Sequence, residues 1–538
     1  MSSRPPSAAD SVAVDVRSST TARPGERGLS AGAAARLERD WPRVPSHSWC
    51  PIVFAMACVG LAIMRAVVLM RGGAPATVDS GNWLAFGHAL LGSHVRSSTI
   101  VYPPVVPLIL TSVSSVFGAR VAVGLVGAVS SLAPGAAVYW VLRRSELRWS
   151  AVALGVLVTA AGSTGESTAW GGFPQLLGLG GMVVALWLLD EWLTEPTWRR
   201  GLAAGAALFF VGATSDIAFG ATLVCAVLVV GLRTLAGADT VNRASRTLRT
   251  LPYVVLPMVP LIPLYSRLIQ ATRRTGPDHV GAKLTLSEVP NAVEFLYRDL
   301  PWPWRLALVS AVVAPLLFAD RWRDRLWIVA TSLLATASVT TVVLHEDRFL
   351  YLLPLGVALG LGLWARELAW APLPFMRRLR PALAAALAVF VVAQIVTGAH
   401  VFGAQRDYYG ILDPGSTAAI EWISHNTPHD ALIAAPTVRG APLGWWVEGL
   451  GRRQSLLASA LRWLNFPDEV RRARQANAVF TENFPNDATI ARARHDGVDY
   501  VLVPLASEIV DPVRLHEYVQ LHPAQVAYRN RTAYVLRV

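Results

Sequence analysis

The sequence predicts a polytopic α-helical membrane protein of about eleven transmembrane helices, followed by a C-terminal extracytoplasmic α/β domain. Three observations predict it. Hydrophobic residues make up 53% of the 538, with a mean hydropathy of +0.42, and they gather into runs of spanning length. Arginines collect in every second connection between those runs. After residue 402 the apolar runs shorten and alternate between helical and strand periods.

Residues 1–48 are rich in Ser, Ala, Pro and Arg and show no apolar period, so they read as a disordered cytoplasmic tail. The tail is too long and polar for the n-region of a cleaved signal peptide, and the first span is expected to remain as an anchor. Apolar runs then lie near 50–71, 119–142, 150–164, 174–192, 201–215, 217–235, 251–270, 304–319, 327–344, 349–365 and 381–402, the membrane part being 49–402. The run 104–117 is short and holds Pro104 and Pro107, with Pro103 just before it.

Arginine placement decides the status of that run. Laid along the outer surface, or re-entrant, it leaves 11 spans, a cytoplasmic N-terminus and five cytoplasmic loops: Arg143–Arg144, Arg199–Arg200, Arg233 to Arg249, Arg321 to Arg325 and Arg366 to Arg380. As a full span it would turn all five outward, against the positive-inside rule. The first arrangement puts Asp79, Glu166, Asp216, the 271–302 loop, His345 to Arg348 and the whole of 403–538 on the extracytoplasmic side.

The net charge of +12 fits this topology without nucleic acid. Residues 401–538 carry 14 Arg against 14 acids, residues 1–50 carry 7 Arg against 5, and the remaining +10 lies between 51 and 400 in short loops. Lys283 is the one lysine, as codon bias in a GC-rich genome produces. Cys50, Cys58 and Cys225 fall in or at the edge of spans, so neither a disulfide framework nor a Cys-based zinc site is indicated.

In the C-terminal domain, 415–426 has helical spacing through Ala419, Ile420, Trp422 and Ile423, and Thr427-Pro428 ends it. Residues 431–435, 497–503 and 532–538 read as strands.

Three polar clusters punctuate the membrane part: Asp79 in Val78-Asp79-Ser80-Gly81-Asn82-Trp83, Glu166 in Ser163-Thr164-Gly165-Glu166-Ser167, and His345-Glu346-Asp347-Arg348. Acids beside a membrane are costly unless they pair, bind or react, so they mark a site. Arg65 and Arg267, near span ends, read as snorkelling to the interface, and His88 and His94 as loop residues.

Together these features resemble the GT-C superfamily of integral-membrane glycosyltransferases, in particular bacterial, actinobacterial-like members that use polyprenyl-phosphate-linked sugars. The residues carrying the resemblance are Asp79, Tyr102-Pro103-Pro104, His345-Glu346-Asp347-Arg348-Phe349 with Pro354, Glu421 to Pro428, and the strand Gly497 to Val503. It implies a GT-C-like transmembrane domain and transfer of a sugar from a polyprenyl-phosphate donor to an extracytoplasmic glycan, lipid or protein. The single acid at Asp79, where some members carry an acidic pair, and Glu166 in place of Asp depart from the pattern.

On that footing Asp79 is the candidate general base, and Glu166 a second catalytic carboxylate that orients the acceptor. A helix N-cap is the alternative role for Asp79. Asp79 and Glu166 are also the candidate ligands of a divalent cation, Mg or Mn. Arg348, His345 and Arg274 are candidates for the donor phosphate, because guanidinium matches phosphate geometry; an interfacial ion pair among Glu346, Asp347 and Arg348 is the alternative. Tyr102, Trp170, Gln175 and Glu346 are the candidate substrate-binding residues, and Trp170 can equally belong to an interfacial aromatic belt. A transporter or flippase of a lipid-linked substrate, an en bloc oligosaccharyltransferase-like enzyme and a non-catalytic scaffold are the competing readings. The clustering of acids at span ends, without a visible internal repeat, weighs against transport.

Overall fold

The computed structural model describes residues 49–92, 102–236, 240–275, 301–344, 351–370, 374–461, 464 and 466–538. The tail expected over 1–48, most of the 271–302 loop and the His345 to Arg348 cluster lie outside the described residues. Cys50–Val538 forms one compact unit.

Each apolar run carries a helix. They begin with α1 (Trp49–Met70), α2 (Ser80–Leu90), α3 (Val105–Phe117), α4 (Ala119–Ser130), α5 (Ala133–Arg144), α6 (Arg148–Ala160), α7 (Gly162–Trp170) and α8 (Phe173–Thr194). They continue with α9 (Trp198–Thr214), α10 (Asp216–Ala236), α11 (Thr240–Val255), α12 (Leu261–Thr275), α13 (Trp302–Leu317), α14 (Arg325–Leu344), α15 (Leu353–Trp370) and α16 (Pro374–Tyr409). Among the described residues, five helices are long and apolar enough to cross a membrane: Trp49–Met70, Ala119–Arg144, Phe173–Thr194, Asp216–Ala236 and Pro381–Tyr409. A bent pair, Ala244–Met258 with Leu261–Gln270, makes a sixth. The pair turns by 66°, and Pro257, Pro260 and Pro263 explain the bend by removing successive N–H donors.

Helix α1 shows how an apolar run is divided. Phe54, Cys58, Leu61, Arg65 and Leu69 recur at intervals of three and four and are buried, while Met56, Val59, Ile63 and Val67 form the opposite, exposed apolar face. A helix apolar all round, with one side covered by protein, leaves its other side to lipid. The ambiguous run 104–117 becomes α3, 13 residues long, or about 20 Å, short of a span.

The arginine-bearing ends are drawn together by ion pairs. Asp190, near the end of α8 and fully buried, accepts from Arg233 of α10 at 2.6 and 2.7 Å and from Arg325 of α14 at 3.0 Å. Arg144 of α5 pairs with Glu191 at 3.5 Å, and Arg366 of α15 with Asp324 at 2.6 Å. Helix α8 has 22 residues, so about 33 Å separates this arginine end from the end where Phe173 begins. One correction arises inside the bundle. Arg65 does not snorkel: it is 2% exposed, and its Nη2 donates to the Thr159 carbonyl at 2.6 Å while its guanidinium lies over the Phe402 ring.

The chain leaves α16 into α17 (Pro414–Asn426), whose start is fixed by Asp413 accepting from the N–H groups of Gly415 and Ser416 at 2.7 and 3.0 Å. Thr532 Oγ1 donates to the same carboxylate at 2.6 Å, tying in the C-terminal strand. Then follow β1 (Leu432–Ala435), β2 (Thr437–Val438), β3 (Ala441–Pro442), α18 (Gly444–Gly449), β4 (Gln454–Leu457), α19 (Pro467–Val479), α20 (Asp487–His495), β5 (Tyr500–Pro504), α21 (Pro512–Leu521), β6 (Val526–Arg529) and β7 (Ala533–Arg537). The main sheet has the order β4-β1-β5-β7-β6, with β4, β1 and β5 parallel and β7 antiparallel to both neighbours. The strand expected over 497–503 starts later, at Tyr500, because Gly497 takes φ +79° in the turn that closes α20.

The α/β domain shares a core with the membrane-side helices. Trp83, Leu84 and Phe86 of α2 and Val106 and Leu110 of α3 pack into one buried cluster with Ile420, Ile433, Trp446 and Val535. Short helix α18 lies directly on α2. A Cβ on Gly81 would sit 2.8 Å from the Trp446 ring and 2.9 Å from the Trp445 carbonyl, so only glycine lets the two backbones approach this closely.

Candidate active site

Asp79 occupies the position just before α2, where a side-chain cap is expected, yet its carboxylate makes no capping bond. Thr77 Oγ1 accepts from the Ser80 N–H at 3.2 Å instead. The acid is therefore not spent on the helix terminus, and the N-cap reading of Asp79 gives way. Its backbone is pinned from the other side: the Asp79 N–H donates to the Trp170 carbonyl at 3.0 Å, and Trp83 Nε1 donates to the Gly171 carbonyl at 2.7 Å. The Trp446 indole donates to the Thr77 carbonyl at 3.1 Å.

The polar cluster around Glu166 forms a helix. Ala161, extended at ψ 140°, breaks the apolar run, and α7 then carries Glu166 and Trp170 for nine residues. Gly171 ends it in the left-handed region at φ +100°, ψ 20°. A Cβ there would lie 3.2 Å from the Asp79 Cβ, so this glycine serves both the turn and the close approach of the two acidic segments.

Around this junction the structure gathers several expected residues. Trp170 is half-buried and its Nε1 donates to the Tyr351 hydroxyl at 3.2 Å. Glu166, also half-buried, accepts from the Tyr409 hydroxyl at 3.0 Å. Tyr102 lies tilted against Trp83, 4.5 Å between ring centroids, and stacks against Phe86 at 5.5 Å. Gln175 lies in the first turn of α8 and is 4% exposed. Arg274 falls on α12. His345, Glu346 and Arg348 lie outside the described residues, although Tyr351, three positions after Arg348, reaches Trp170. Among the described residues no group of three or more His, Cys, Asp or Glu comes together to hold a metal, so Asp79 and Glu166 gain no third ligand there.

His88, expected in a loop, stands on the last turn of α2 facing α18. Burial, then the neighbouring Arg452 guanidinium, hold its pKa below the ordinary 6.5, partly offset by a hydrogen bond with the Gly449 backbone. Between α18 and α19, Glu448 is fully buried and paired with Arg472 at 2.6 Å. Burial alone would lower the Arg472 pKa, but Glu448 and Glu469 raise it above the usual arginine value.

Tyr351, Tyr409 and Gly171 were not singled out by sequence reasoning. Gly171-Gly172 is a turn signal that pattern reading can find. Tyr409 lies 243 residues from the carboxylate it meets, and no local spacing reports a contact of that range.

No family model and no curated protein matches the sequence. Among solved structures, the fold is similar to ArnT from Cupriavidus metallidurans in the apo state, with a TM-score of 0.56, 15% identity, and coverage of 91% of this chain and 97% of that one. It is similar also to the same protein bound to undecaprenyl phosphate, with a TM-score of 0.53, 15% identity, and coverage of 91% and 98%. At that identity the likeness is one of fold, and the fold is the GT-C-like one, a bundle of membrane helices joined to a C-terminal α/β region.

Proposed function

We propose that the protein is a membrane glycosyltransferase that moves a sugar from a polyprenyl-phosphate donor to a hydroxyl of an extracytoplasmic glycan, lipid or protein. The observation that carries this reading is Asp79: a carboxylate at the start of a helix that does not cap it, held by backbone bonds at the junction of α2, α7 and the α/β domain. The nature of the donor is supported by the fold likeness to a protein solved with undecaprenyl phosphate.

In this reading the acceptor oxygen attacks the anomeric carbon while Asp79 takes its proton. The bond between that carbon and the phosphate oxygen breaks, and the polyprenyl phosphate departs with the electron pair. A positioned base contributes roughly 10²- to 10⁴-fold to such a step. Glu166 orients the acceptor, and Trp170 and Tyr102 offer aromatic faces to sugar rings, with Gln175 and Glu346 as further substrate contacts. Arg348, His345 and Arg274 are the cations proposed to receive the developing phosphate charge, since guanidinium pairs bidentately with phosphate. If a divalent ion takes part, Asp79 and Glu166 would hold it and it would assist the departing phosphate. The arginine-bearing helix ends then face the cytoplasm, and the site and the α/β domain face outward.

The test is sugar transfer by the purified protein in liposomes, with a panel of radiolabelled polyprenyl-phosphate sugars and a cell-wall or membrane acceptor extract. Transfer is expected from wild type and is expected to fall at least a hundredfold in Asp79→Asn at unchanged thermal stability. Transfer at the wild-type rate in that variant would remove Asp79 as the base. A parallel arm with chelator reads whether a divalent ion takes part. Movement of the lipid across the bilayer without transfer would favour the flippase reading.

A further inference from the structure

We infer that Tyr409 is a positioning residue for Glu166, and that Arg439 of the α/β domain holds Tyr409 in place. The inference rests on the reading of Glu166 as a group that meets the acceptor. Tyr409 is the last residue of α16, and its hydroxyl donates to Glu166 Oε1 at 3.0 Å. A hydrogen bond to a charged oxygen fixes both distance and direction, and leaves that oxygen one orientation.

The register of α16 makes this contact. Phe402, Gln405, Arg406 and Tyr409 recur at intervals of three, one and three, a single helical stripe turned toward α1 and α7. Phe402 is fully buried under Arg65, and a Cβ on Gly165 would lie 3.3 Å from Gln405 Oε1 and 3.5 Å from the Phe402 ring. The stripe therefore packs directly on the turn that carries Glu166. Each residue of slip along α16 would carry the Tyr409 hydroxyl about 1.5 Å along the axis, enough to break the bond.

Something must hold that register at the helix end, where the last carbonyls have no helical partner. Arg439 supplies it from the other domain. It sits in the turn between β2 and β3 at φ +52°, with Gly440 following at φ +71°. A non-glycine residue in the left-handed region costs energy, and such strain persists where its surroundings require it. Here the strained turn delivers the guanidinium to the end of α16: Arg439 Nη1 donates to the Tyr408 carbonyl at 3.0 Å and also to the Asp407 carbonyl. A cation at a helix C-terminus is favourable in its own right. Arg406, one turn before the end, donates to the Arg71 carbonyl and fastens α16 to the end of α1. The α/β domain thus sets the place of the Glu166 carboxylate through two residues.

The experiment is a double-mutant cycle on transfer, in full-length protein in liposomes with the donor that wild type uses. Tyr409→Phe keeps the ring and the packing and removes only the donor. It is expected to lower kcat/KM about tenfold, mainly through the KM for acceptor, with unchanged thermal stability. In a Glu166→Gln background, assayed at enzyme concentrations that read residual turnover, the same change is expected to cost less than about twofold further. Arg439→Ala should reproduce the Tyr409→Phe loss, and Arg439→Lys, which keeps a cation and a donor, should restore part of it. Equal losses from Tyr409→Phe in both backgrounds would overturn the inference, since the hydroxyl would then act independently of Glu166. Wild-type transfer in Tyr409→Phe with Glu166→Gln impaired would overturn the inference alone. Wild-type transfer in Glu166→Gln would overturn the reading of Glu166, and the inference with it.

Discussion

Replacing Gly81 with alanine tests whether the α/β domain builds the proposed active site or merely hangs beside it. The new methyl group would lie 2.8 Å from the Trp446 ring and 2.9 Å from the Trp445 carbonyl carbon and oxygen. Carbon atoms in contact rest at about 3.5 to 4.0 Å, so α2 and α18 must separate by roughly 0.7 Å or more. The obstacle is partly backbone, and Trp446 is fully buried with its indole bonded to the Thr77 carbonyl, so neither partner can simply rotate away. Overpacking of this kind costs about 1–3 kcal/mol. The displacement falls on the helix that begins at Asp79, and a shift of about 1 Å at a reacting group costs on the order of a hundredfold in rate. Gly81→Ala is therefore expected to lower the apparent Tm in detergent and to lower transfer by one to two orders of magnitude. Gly60→Ala is the matched control, because a Cβ on that α1 glycine meets nothing within 4 Å. It should leave both readouts intact, since alanine is the better helix former. Wild-type Tm and transfer in Gly81→Ala would refute the reasoning, and so would equal losses in the two variants.

Other expectations follow from the same contacts. Asp190→Ala leaves Arg233 and Arg325 facing each other at the arginine end, and should lower stability by about 3 kcal/mol, read as a fall in Tm in detergent. At His88 the folded pKa lies below the unfolded 6.5, so the unfolded chain binds the proton more readily. The contact with α18 is then at full strength above about pH 6.5 and weakens as pH falls through that value; Tm measured between pH 8 and 5.5 should show this, and His88→Gln should flatten that part of the profile. Arg65 is buried, and among the described residues its Nε and Nη1 have no hydrogen-bond partner, so Arg65→Met, which keeps the volume and removes the charge, should leave Tm unchanged or raise it. A clearly lower Tm for Arg65→Met would mean that the guanidinium is stabilised by more than its bond to Thr159.

The membrane helices were legible because a span must be apolar along its whole length, whatever its neighbours, and each apolar run is helical. The same uniformity hides which side of a helix is covered. Arg65 reads as an interfacial residue in sequence, and only packing against Thr159 and Phe402 shows it enclosed. Helix α7 escaped notice because Gly162 to Trp170 holds few apolar residues, and its helicity comes from burial between α6, α8 and α16. In the α/β domain the strands at 431–435 and 532–538 are legible by their apolar character, while β4 opens on Gln454 and Ser455 and β6 ends on Arg529, so neither forms a continuous apolar run. Of the site, Asp79, Glu166 and Trp170 were visible as polar or aromatic residues at span ends. Their mutual placement was not, because it depends on Gly171 at φ +100° and on bonds to Tyr351 and Tyr409, 181 and 243 residues away.

The glycine-mediated seat of α18 on α2 also bears on how the protein comes into being. Thr77 and Trp446 are 369 residues apart, which at ribosomal speeds of about 5–20 residues per second is a delay of roughly 20 to 70 s. During that interval the helix that follows Asp79 has already been made, while Ile420, Ile433 and Trp446, which complete its core, do not yet exist. The cluster around Trp83, Leu84 and Phe86 therefore stays incomplete until the last quarter of the chain is made, and the junction at Asp79 is assembled at the end of synthesis rather than helix by helix.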